Sequence, residues 1–149
     1  MDHGGGNRSG DKHGQARYAY DDMLTLIAAI VFAALAGFIV LFQVALTLGA
    51  PWAEFTLGGK HRGPLPKPLR VVPAVSAVLL LGFAAVVLSR AGVAFVSLSG
   101  AASWLVWVVV VYFALGSVLN AITPSRRERL LWLPVVLAGL VTSLVVALS

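Results

Sequence analysis

Residues 23–48 read MLTLIAAIVFAALAGFIVLFQVALTL, and no Lys, Arg, Asp or Glu interrupts them. A helix needs about 20 predominantly apolar residues to cross the hydrocarbon core of a bilayer, so this run is long enough to span one. It is too long for the apolar region of a signal peptide, and no convincing small-residue cleavage site ends it, so it reads as a retained span. Three further runs are equally free of charge: Val71–Leu88, Ala91–Ile122 and Leu130–Ser149. Composition agrees, with 59% hydrophobic and 11% charged residues, against roughly 45–50% and about 25% in soluble domains. The reading is an all-α polytopic membrane protein built as a four-helix transmembrane bundle. The spans fall at about 23–48, 71–88, 101–122 and 130–148. Residues 21–149 then form one transmembrane domain, and residues 1–20 a polar, flexible N-terminal tail rich in Gly and charge.

The breaks between runs carry helix-stopping chemistry. The first span ends at Leu48-Gly49-Ala50-Pro51, and the connection Gly49–Arg70 contains Pro51, Pro64, Pro66 and Pro68. Proline fixes φ and removes an N–H donor, so this loop is extended or tightly turned rather than helical. Thr123-Pro124 marks the last break. Ser125 and Glu128 have the S-x-x-E spacing of a capping box, which starts the last helix there and places Pro134 inside it. The alternative start lies closer to Leu133. The segments Pro73–Ser89 and Pro134–Ser149 echo each other, which fits either a two-helix duplication or shared membrane composition.

Charge by side sets the orientation. With four spans, the tail (Arg8, Lys12, Arg17) shares a side with the linker residue Arg90. The opposite side holds Lys60, Arg62, Lys67, Arg70, Arg126, Arg127 and Arg129. Basic residues in short loops favour the cytoplasm, so loops 49–70 and 123–129 are expected there, with both termini outside. The net charge of +5 lies in these juxtamembrane segments and is read as an orientation signal; nucleic acid is not an expected partner. Trp52 and Trp132 fall at the inner boundary and Tyr18, Tyr20 and Trp104 at the outer one, where aromatic rings anchor spans.

Helices in lipid gain little from the hydrophobic effect against one another, so small residues mark packing faces. Ala29, Ala33, Ala36 and Gly37 lie along one face of the first span, and Gln43 continues the stripe. Gly139 and Ser143 begin an i, i+4 series in the last span that ends at Ala147. Gln43 and Tyr112 are polar groups inside spans and need partners. They are candidates for helix packing or for a polar lining. Ser76, Ser117 and Thr142 can bond to their own helix backbones.

Chemical variety is confined to one loop, where Trp52, Glu54, Lys60, His61, Arg62 and Arg70 form a candidate interaction or lipid-contact surface. Its Gly58-Gly59-Lys60 lacks P-loop spacing, so nucleotide phosphate chemistry is not implied. Anionic lipid headgroups fit its basic side chains. With no cysteine and three histidines (His3, His13, His61) divided between two sides, no metal or cofactor is expected. His3 alone has the third-position imidazole that, with a free amine, suits a square-planar ion. No span carries the acidic residue of a proton-coupled exporter, paired haem-ligating histidines or a basic voltage-sensing series.

The pattern Gly49-Ala50-Pro51-Trp52, Gly58-Gly59, Pro64-Leu65-Pro66 and Arg70, followed by Thr123-Pro124-Ser125-Arg126, resembles that of uncharacterised small four-span membrane proteins of bacteria. The resemblance implies an inner-membrane location and supplies no activity. The leading functional reading is a non-enzymatic accessory or interaction protein, as a homo-oligomer or within a larger membrane complex. The alternative is a small oligomeric channel or transporter with Gln43 and Tyr112 on a common lumen. A lipid-acting enzyme would require Glu54, His61 and Arg62 to converge at the inner leaflet. The orientation predicts that a periplasm-active reporter fused after Ser149 is active. A cytoplasm-active reporter working at that position instead would reverse the topology.

Overall fold

The structure is a computed structural model and describes residues 8–149. Four helices account for the spans: α1 (Arg8–Leu48), α2 (Val71–Arg90), α3 (Ser99–Ile122) and α4 (Arg126–Leu148). All four are long and apolar enough to cross a membrane. No strand occurs among the described residues; a single bridge joins Trp52 to Gly63. This is a multi-pass, four-helix membrane protein.

Helix α1 reaches further back than its charge-free run. Residues 8–20, read from sequence as part of a flexible tail, are helical and continuous with the first span. Once a helix is nucleated, each added residue gains a backbone hydrogen bond, and Gln15, Ala16 and Arg17 are good helix formers. At 1.5 Å per residue, the 41-residue helix is about 60 Å long. Residues 18–25 lie beside Val145, Leu148 and Ser149, so the earlier turns project beyond the end of α4. Side chains 15–20 are accordingly exposed. Residues 1–7, including His3, lie outside the described residues.

The other end of α1 stops in a Schellman arrangement. The Gly49 N–H donates to Leu46 O at 3.1 Å and the Ala50 N–H to Ala45 O at 2.8 Å. Helix α2 ends the same way: Gly92 donates to Ser89 O at 3.1 Å and Val93 to Leu88 O at 2.9 Å. Helix α4 begins at Arg126 with Ser125 as its N-cap, whose hydroxyl accepts from the Glu128 N–H at 3.3 Å. The earlier of the two possible starts is therefore the one used, and Pro134 lies inside the helix.

Around the bundle, α1 packs on α2 and α4, and α3 packs on the same two helices. Helices α1 and α3 are diagonal and meet through an edge-to-face pair, Phe32 and Phe113, with ring centroids 5.2 Å apart. Both rings are buried. Ala28, Ala29, Val106, Val109 and Val146 fill the core around them. The outer faces carry exposed aliphatic side chains such as Leu41, Val78, Val118 and Val141, as lipid-facing surfaces require.

The α3–α4 contact depends on a missing side chain. A Cβ at Gly139 would lie 2.4 Å from Cε1 of Phe113, so the ring sits against the α4 backbone itself. Ser143, one turn on, is fully buried and bonds to Leu140 O at 3.0 Å within its own helix. On α1, Ala29 and Ala36 are buried, while Ala33 and Gly37 are half-buried and a Cβ at Gly37 would meet nothing within 4 Å. Gly139→Ala is expected to cost about 1–3 kcal/mol through overpacking. Gly37→Ala should be neutral or slightly stabilising. Thermal unfolding of both variants in the same detergent, followed by helical circular dichroism, checks the difference.

Candidate functional site

The chemistry-bearing residues gather where the loops 49–70 and 123–125 meet. The longer loop folds on a small core of its own: Leu46, Ala53 and Leu65 are buried together, with Phe42 and Leu69 against them. For Leu65, beyond the end of the first span, such burial counts fully, at about 1.5–3 kcal/mol. The Ala53 N–H donates to Gly63 O at 3.1 Å and closes the loop into a ring. Arg70 completes it from below: its Nε–H donates to Leu65 O at 2.9 Å, and its guanidinium packs over Gly49 at the C-terminus of α1. A cation there complements the partial negative charge of the helix end.

Glu128 fastens this loop to the second one. In a complete capping box its carboxylate would reach back to the Ser125 N–H. Instead Oε2 accepts from the Gly58 N–H at 2.9 Å and from the Thr123 hydroxyl at 3.0 Å. Gly58 and Gly59 both have positive φ, 73° and 69°. A Cβ on Gly59 would lie 2.8 Å from Ser125 Oγ. The glycine pair thus lets one loop lie directly on the other. Arg127 and Glu54 add an ion pair at 2.5 Å, more exposed on the arginine side. Arg129 donates to Thr123 O at 2.6 Å.

Trp132 corrects its sequence reading. It is buried, at 7% exposure, rather than facing the membrane boundary as an anchor. Its indole N–H donates to Phe55 O at 2.7 Å, and Phe42 packs edge-on against its ring at 4.6 Å. The sequence marks a boundary Trp but not which way it faces. Trp52 is half-exposed and stacks on Phe42 at 6.0 Å. Tyr18, Tyr20 and Trp104 are exposed.

Glu54 and Arg62 share a polar cleft of about 660 Å³ with Ser125 and Arg127. His61 is half-buried and does not line it. Lys60 and Arg62 are exposed. The acid–base group Glu54, His61 and Arg62 is therefore not assembled: the Glu54 carboxylate is bonded to Arg127. No group of three His, Asp or Glu side chains suited to a metal ion occurs among the described residues.

Gln43 and Tyr112 both line one cavity of about 390 Å³ on the loop side of Phe113, and Tyr112 is also exposed on the outer surface. Asn120, Thr56 and Glu128 line the same space. Asn120 donates its amide to Gly116 O at 2.8 Å, within its own helix. The hydroxyls of Ser76, Ser117 and Thr142 likewise bond to carbonyls four residues earlier, at 2.8–3.0 Å. Sequence marks Gln43 and Tyr112 as costly polar groups; it gives no signal for Asn120 and Glu128 joining them, because those contacts depend on the bundle geometry.

No protein-family model, characterised protein or solved structure matches the chain.

Replacing Glu128 by Ala leaves the Gly58 N–H and the Thr123 hydroxyl without their acceptor. The expected loss is about 1–3 kcal/mol, with faster amide exchange at Gly58. Arg127→Ala removes a largely exposed ion pair and should cost under about 1 kcal/mol. Thermal unfolding and amide exchange in detergent separate the two effects.

Proposed function

We propose that the chain is a non-enzymatic accessory or interaction protein of a bacterial inner membrane, acting through its loop end, which engages anionic lipid headgroups. Loops 49–70 and 123–129 lie in the cytoplasm in this reading, and both termini lie outside. The observation that carries it is the imbalance of charge at the loop end. The two loops hold seven basic and two acidic residues. Both acids are occupied: Glu54 by Arg127, and Glu128 by Gly58 and Thr123. Lys60, Arg62, Lys67 and Arg126 remain exposed. Juxtamembrane Lys and Arg each contribute about 1 kcal/mol of attraction to an anionic leaflet. The same bonding of Glu54 argues against a lipid-acting enzyme, since a general base must be free to take a proton. Transport through a single chain finds no support, because Phe32 and Phe113 fill the middle of the bundle. The channel alternative would need several copies.

The test uses purified protein in nanodiscs of mixed phosphatidylcholine and phosphatidylglycerol. Lipids retained on the protein after detergent extraction are identified by native mass spectrometry. Phosphatidylglycerol should be enriched, and a variant with Lys60, Arg62 and Arg126 changed to Gln should lose the enrichment by about tenfold or more. Equal retention of the two lipids by the unaltered protein would refute the reading.

A further inference from the structure

The cavity around Gln43 and Tyr112 is lined by different residues from the polar cleft around Glu54 and Arg62. Its volume of about 390 Å³ falls within the roughly 300–1,000 Å³ typical of small-molecule sites. Its walls are mostly apolar, from Phe42, Leu80, Phe113 and Val136. Leu115 and Leu119 line it from α3 and are also well exposed, at 60% and 64%, on the lipid-facing side of the bundle. The space is therefore open sideways toward the bilayer.

Its polar groups are graded along the membrane normal. Thr56, Asn120 and Glu128 stand at the loop end. Tyr112 lies eight residues before Asn120 on α3, about 12 Å deeper. Neither the Gln43 amide nor the Tyr112 hydroxyl bonds to another described residue, and neither group is sealed off: Gln43 is half-buried and Tyr112 is 38% exposed. Unpaired groups of this kind in lipid are costly unless something bonds to them. Among the described residues, the charged group that lines the cavity is the Glu128 carboxylate and no cation lines it; Lys60 lines only the adjoining depression that shares Leu119, Asn120 and Glu128. An anionic head is therefore disfavoured.

We infer that this cavity binds a neutral single-chain amphiphile from the bilayer. Its hydroxyl-bearing head bonds to Gln43, Asn120 and Glu128 at the loop end. Its chain lies against Phe42, Leu80 and Phe113. This site is separate from the exposed basic surface, which selects the opposite chemistry.

A photoactivatable monoacylglycerol with a diazirine in its chain is the probe, applied to the purified full-length chain in phosphatidylcholine nanodiscs. Labelling should map to residues that line the cavity, such as Phe42, Leu80 and Phe113. Unlabelled monooleoylglycerol should compete, and oleate at neutral pH should compete at least about tenfold less well, because Glu128 repels its carboxylate. Gly116→Phe fills the space from a position where an added Cβ meets nothing within 4 Å, and should abolish labelling. Gln43→Leu removes the amide at similar size and should weaken binding about five- to tenfold. Arg62→Gln, on the basic surface, should leave labelling unchanged. Equal competition by oleate, or labelling spread over the outer lipid-facing surface, overturns the inference without any variant. Undiminished labelling in a folded Gly116→Phe protein overturns it as well.

Discussion

The seating of Phe113 on the bare backbone of Gly139 sets the geometry of the bundle. In lipid, helices are held by close packing and not by exclusion of water. A ring resting where a Cβ would stand 2.4 Å away fixes how near α3 and α4 come. The same ring faces Phe32 across the diagonal and Tyr112 at 5.6 Å beside it. One contact therefore joins three of the four helices and divides the interior. On the terminal side of Phe113 the core is solid with Val106, Val109 and Val146. On the loop side it opens into the cavity that Gln43 lines.

The two ends of the molecule are held by different physics. Within the spans, aliphatic and aromatic packing dominates, and hydroxyls return to their own helices. At the loop end, carboxylates, guanidinium groups and backbone amides form the joints. Glu128 belongs to both regimes, since it fastens the loops and also closes the floor of the cavity. Trp132 does so too, with its ring in the core and its N–H on a loop carbonyl.

The spans were legible in the sequence because charge-free length is a local property. So were the stop at Gly49, the Ser125 cap and the possible use of Gly139 as a contact, each signalled by a few neighbouring residues. The start of α1 was less so: Gly4-Gly5-Gly6 and scattered charge look unstructured, yet a helix already nucleated in the span runs on to Arg8. The turning of Trp132 inward and the capture of Gly58 by Glu128 were not legible. Gly58 and Glu128 lie 70 residues apart, and a capping-box Glu has an equally good local partner in the Ser125 N–H. Only the approach of the two loops decides between them. The sequence points to this loop as the place of chemistry, but its Glu54 is a strut against Arg127 and its His61 stands apart from the cleft.

The bonds between Gly58 and Glu128 also order events in time. Each pair of neighbouring spans, α1 with α2 and α3 with α4, forms a hairpin that can enter a membrane by itself, since its backbone bonds are internal. The loop joint connects one hairpin to the other, so it closes only after both are inserted and side by side. An interaction that exists only in the paired state adds to the stability of that pairing. The Glu128 joint therefore works as a latch between two hairpins that are each already closed in their own backbone bonding.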